Sequence, residues 1–236
     1  MERFLLEIKI NVKLNLFRKI GLLFLIAALS LSVAATSTFA NPPQENLSKE
    51  DFSALKDVVI LIIRHAEKPT SGIELSPAGE KRAEAYVGYF QRFAIDGKPV
   101  KLDYLFATAD SSKSHRPRLT ITPLSKVLGI KIDNRFVDDD FLKLAQEIQS
   151  HSHGSNILIC WHHGKIPALL NALGVDPKQL LPKGEWPADV FGWLIQLRYD
   201  KNGKLFDARC INEDLMPGDS SKHVQRFTAE GLQLKK

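Results

Sequence analysis

From Val58 to Ile63 six aliphatic residues, most of them β-branched, follow one another without a polar interruption, and the run stops abruptly at Arg64-His65. An apolar run of this length, with no alternation, predicts a strand buried on both faces, as in the middle of a parallel sheet. Leu102–Ala107 and Asn156–Trp161 read the same way, the first ending in a polar loop and the second in His162-His163-Gly164. Between these runs the period changes. Ser76-Pro77 supplies a helix cap and a proline at the first helical position, and Ala83, Val87 and Phe90 fall on one side of a helix continuing to Phe93. A second helix is expected from Arg116 and a third over Phe141–Ser150, with a short edge strand at Lys131–Asp133. Val190–Tyr199 and Leu205–Ile211 predict a hairpin around Asn202-Gly203, both turn positions being tolerant of positive φ. Strands that alternate with helices and end in a hairpin predict an α/β fold, a three-layer α/β/α sandwich with a mostly parallel central sheet.

The beginning of the chain follows different rules. Residues 1–40 carry Arg3, Lys9, Lys13, Arg18 and Lys19, then a 14-residue apolar core from Ile20 to Val33, then Thr38-Phe39-Ala40. That is the layout of a signal peptide cleaved before Asn41, and the core is shorter than the roughly 20 residues of a spanning helix. An exported protein, periplasmic or secreted, with no stable membrane association after cleavage is the expectation. Residues 41–56 read as a polar leader, and 57–236 as the domain. The signal holds five basic and two acidic residues, so only +2 of the net charge of +5 belongs to residues 41–236. The basic residues there are scattered, which argues against nucleic acid. In an oxidising compartment Cys160 and Cys210 could pair, or remain buried thiols.

The chemistry collects where the strands end. In an open α/β sheet ligands bind outside the carboxyl ends of the strands, so Arg64 and His65 are candidates for an anion site and a nucleophile or base. The stretch Arg64-His65-Ala66 resembles the Arg-His-Gly signature of the histidine phosphatase superfamily, the phosphoglycerate mutase-like fold, with a small Ala66 where glycine usually stands. Two further stretches carry the resemblance. Arg116, Thr120, Pro123-Leu124 and Leu128-Gly129 keep the family's spacing at a helix start, and a buried strand ends in His162-His163-Gly164. The resemblance implies that His65 attacks phosphorus, that Arg64, Arg116 and a second histidine hold the phosphoryl oxygens, and that Glu67 lies among the substrate-binding residues. The His-Gly doublet points to His163 as that second histidine, and the distance to Ile166-Pro167 points to His162; both stand. The general acid is sought in Asp138 or Asp139, whose structural alternative is to cap the following helix.

A phosphatase hydrolysing a small phosphorylated substrate through a phosphohistidine, with no metal or cofactor, is the implied function. A silent phosphate-ligand-binding protein of the same fold is the first alternative. The second is a metal site built from His151, His153, His162 and His163. A strand of six residues separates those pairs by about 20 Å at roughly 3.3 Å per residue, too far for one ion, so His151 and His153 are read as solvated loop residues. Trp186 and Trp193 are read as packing residues. If the phosphatase reading holds, the strands bearing His65 and His162-His163 must be neighbours.

Overall fold

The structure is a computed structural model that describes residues 53–219. The expected signal, its cleavage site, most of the leader and the final residues 220–236 lie outside the described residues. β1 (Val59–Arg64) is sealed on both faces, with Ile60, Leu61, Ile62 and Ile63 all at 0% exposure. Each such side chain contributes about 1.5–3 kcal/mol, and that is why no polar residue interrupts the run. After β1 come α1 (Pro77–Arg92), a small ribbon of β2 (Ala94–Ile95) and β3 (Lys98–Pro99), and β4 (Tyr104–Ala107). Then follow α2 (Arg116–Leu128), β5 (Ile132–Asp133), α3 (Phe141–Ser150), β6 (Asn156–Trp161) and α4 (Ile166–Ala172), with β7 (Trp193–Tyr199) and β8 (Leu205–Asn212) closing the sheet.

The main sheet has the order β5-β4-β6-β1-β7-β8. The four strands from β5 to β1 are parallel, β7 runs antiparallel to them, and β8, antiparallel to β7, returns to their direction. The apolar side chains alternate between two cores. Ile60, Ile62, Phe106, Ile159 and Trp161 face Leu144, Ile148, Leu169 and Leu170 of α3 and α4. Leu61, Ile63, Leu105, Leu158 and Cys160 face Tyr86, Phe90, Ile121 and Leu124 of α1 and α2. The expected three layers are therefore present, with a mostly parallel sheet between them.

This arrangement also locates a crevice. β1 leads into α1 on one face of the sheet, whereas its neighbour β6 leads into α4 on the other. Connections that diverge from adjacent parallel strands leave a gap at their carboxyl ends, where a ligand can enter between backbone donors. Arg64 pairs with Trp161 across that boundary, and the His65 amide donates to the Trp161 carbonyl at 3.0 Å.

Two local readings change, those of the hairpin turn and of His153, and the open question of the two cysteines closes on buried thiols. Among the turn residues Gly203 has positive φ, at 73°, and Asn202 does not. Asp200 instead accepts from the amides of Asn202 and Lys204, so a capped longer turn replaces the two-residue one. Cys160 and Cys210 are free and buried. β1 and β7 stand between their strands, beyond disulfide reach. His153 is not a solvated loop residue: its side chain is 8% exposed, beside Glu147 and packed on Tyr104 and Phe106. Trp186 and Trp193 pack together in the core, as expected.

Candidate active site

His65 leaves the end of β1 at 3% exposure, and its ring stands edge-on to that of His162 with centroids 5.0 Å apart. Alternation explains which of the two adjacent histidines reaches it. Ile63 and Cys160 are register partners on one face, and two residues further along each strand His65 and His162 emerge together. The doublet pointed to His163, but that ring lies one residue out of phase and lines a groove beyond the pocket. The His65 Nδ1 is 2.7 Å from its neighbour's carbonyl at Ala66, so Nδ1 carries the proton and Nε2 keeps its lone pair. Burial pushes the His65 pKa down to about 3, opposed by the hydrogen bond to the Ala66 carbonyl and helped to a smaller degree by His162, Arg64 and Arg116. His162 is lowered to about 4 by burial and by Arg116, His163 and Arg64. Both rings are therefore neutral near pH 7.

Two guanidinium groups share this pocket. Arg64, 1% exposed, uses Nη1 to donate to the carbonyls of Pro187, Ala188 and Val190, and its plane lies 3.8 Å from the Phe191 ring. Burial is the main reason its pKa falls to about 10, so it stays cationic. Arg116 opens α2, where His115 provides no side-chain cap, and donates to the carbonyls of Gly72 and Lys113. The Pro69–Leu75 loop is thereby tied to the start of α2, with the His115 amide bound to the Ile73 carbonyl as well. Arg118, the neighbouring candidate, is paired with Asp110 instead. Thr120 links the two halves: its Oγ1 accepts from the Ala66 amide and donates to the Arg116 carbonyl, each at 2.8 Å.

The buried polar atoms Arg64 Nε, Arg116 Nε, Thr108 Oγ1 and Asp138 Oδ1 have no hydrogen-bond partner among the described residues. Orphaned groups of this kind cost about 1–3 kcal/mol each. The three belonging to Arg64, Arg116 and Thr108 sit at the ends of β1 and β4 and the start of α2, where an anion would be received; others, such as Asn212 Oδ1 and Glu213 Oε1, lie away from it. Asp138 and Asp139 differ from one another. Asp139 is exposed and paired with Lys165. Asp138 is half-buried, and burial, opposed by Lys165 and reinforced by Asp139, raises its pKa to about 6. Its backbone carbonyl accepts from the Trp161 indole, which ties it to the end of β6 beside His162.

Glu67 does not face the pocket. Its carboxylate is gripped by Arg82, which is 2% exposed and also holds Asp219 with two hydrogen bonds. Burial opposes the Arg82 charge, but the hydrogen bonds it donates to Asp219 and Glu67 more than restore it. The Glu67 carbonyl in turn receives the Ser76 amide, and a Cβ on Gly79 would stand 2.4 Å from that carbonyl oxygen. α1 is thus seated directly on the residue that follows the His65-Ala66 pair. Arg82, Asp219, Thr108 and Phe191 were not found from the sequence. Arg82 alone left a trace there: a cation spaced three and four residues from Gly79 and Tyr86, inside the stripe that α1 buries.

No family model and no curated protein matches the chain. Solved structures do. A chain described as the phosphohistidine phosphatase SixA of Agrobacterium tumefaciens aligns at 18% identity and a TM-score of 0.42, over 64% of this chain and 96% of its own. The phosphoglycerate mutase of Plasmodium falciparum aligns at 16% identity and 0.42, over 72% and 98%. The structural neighbours are members of the histidine phosphatase superfamily. At these identities and TM-scores the likeness carries no chemistry across, and roles rest on the side chains described above.

Proposed function

We propose that the chain is an exported phosphatase of the histidine phosphatase superfamily, hydrolysing phosphomonoesters through a phosphohistidine on His65. The observation that carries this reading is the neutral His65 ring, held by the Ala66 carbonyl with Nε2 free, between His162 and two arginines whose Nε groups are unpaired. Nε2 attacks phosphorus, the bond to the leaving oxygen breaks, and Asp138 supplies that oxygen with a proton. Water then attacks the phosphohistidine, gives a proton back to Asp138, and releases phosphate. Dividing the displacement in two replaces one high barrier with two lower ones. The guanidinium groups and His162 meet the charge on the equatorial oxygens without reorganising, a contribution of about 3 kcal/mol per well-placed donor.

The test is turnover of 4-nitrophenyl phosphate by the wild type beside His65→Ala, with acid-labile phosphate incorporation as a second readout. Turnover with a labelled intermediate in the wild type and neither in the variant is expected. Equal turnover by both would remove His65 from the reaction, and binding of phosphate with turnover by neither would leave the silent phosphate-binding protein.

A further inference from the structure

Beyond the phosphoryl pocket lies a groove of about 770 Å³, with His163 and Ala168 on one wall and the segment 176–188 on the other. It adjoins the site through Pro187 and Ala188, whose carbonyls Arg64 grips. A leaving group directed away from His65 and past Ala188 enters this space, which is of a size that takes a whole small molecule.

The walls specify what it takes. Lys178 and Lys183 share one wall with Asp176 and Glu185, so the formal charges of that wall cancel. Lys178, Lys183 and Glu185 make no ion pair among the described residues, while Asp176 caps the Lys178 amide with one oxygen. The backbone is shaped to hold them: Lys183 sits at φ 56°, and a Cβ on Gly184 would stand 3.0 Å from the Lys178 side chain. A second anion on the substrate would meet carboxylates as often as ammonium groups. A flat base finds no indole to stack on, since Trp186 is 3% exposed and spends its N–H on the Val190 carbonyl, and the His163 imidazole is the one aromatic ring offered by the lining residues. Hydroxyls both donate and accept, and so satisfy ammonium and carboxylate groups together.

Resting on the phosphatase reading, we infer that this groove receives a neutral, polyhydroxylated leaving group, which makes the substrate class sugar or polyol monophosphates. Calorimetric titration of the purified protein with a hexose 6-phosphate, AMP, a phosphoserine pentapeptide and inorganic phosphate tests it. The hexose phosphate is expected to bind about tenfold more tightly than any of the other three, the worth of about one additional hydrogen bond to a charged group. In Lys178→Met/Glu185→Ala the affinity ratio of hexose phosphate to inorganic phosphate should drop by about the same factor. AMP or the peptide binding as tightly, or a ratio untouched by the double substitution, overturns the inference. Groove-dependent binding without turnover of any ester would instead sink the phosphatase reading and leave the groove's preference standing.

Discussion

Replacing Asp138 by asparagine keeps the shape of the side chain and removes its proton. With a pKa of about 6 in the folded chain, about one Asp138 in ten still carries that proton at pH 7 and about one in a hundred at pH 8. If Asp138 protonates the leaving oxygen, hydrolysis of an alkyl phosphate should fall about tenfold per pH unit above pH 6. Asp138→Asn should lower the plateau by about 10²–10⁴, the usual contribution of a general acid, and abolish that limb. 4-Nitrophenyl phosphate, whose leaving group needs little help, should lose under about tenfold. Substrate ionisation affects both proteins alike and cancels in the comparison. Stability moves the other way. A carboxyl whose pKa rises on folding from 3.8 to about 6 holds its proton more tightly in the folded chain, so folding loses stability as pH climbs through that window. Discounted for partial solvent screening, asparagine should stabilise the protein at pH 7 by about 1–2 kcal/mol in urea titrations. An alkaline limb that survives in the variant, or an alkyl ester affected no more than the aryl one, refutes the assignment of Asp138.

Arg82→Met leaves the buried Asp219 carboxylate and the partly buried Glu67 carboxylate without their shared cation, and urea unfolding should show a loss of about 3–5 kcal/mol; a loss under about 1 would mean that the cluster relaxes into water. Gly79→Ala would ordinarily help a helix by about 1 kcal/mol, yet its Cβ meets the Glu67 backbone at 2.4 Å, so the urea midpoint should fall instead of rise. Burial drives the pKa of Cys160 up and that of Cys210 to about 12, so neither thiol should react with an aromatic disulfide reagent at pH 8 until the chain is unfolded.

Periodicity was enough to recover the layers, because a strand sealed on both faces and a helix sealed on one leave different marks on the chain. The uninterrupted aliphatic runs of β1 and β6 announced a central parallel sheet, and the polar stops after them announced where ligands would collect. The partners of each polar side chain were a different matter. His162 and His163 are neighbours of nearly equal standing in the sequence, and only the pairing of Ile63 with Cys160 decides which one faces His65. Glu67 lies two residues from His65 and looked like part of the pocket, but Arg82 from α1 and Asp219 from beyond β8 turn it away. Such choices depend on charges brought together from opposite ends of the chain, whose attraction acts over a few ångströms of folded space and has no counterpart along the sequence.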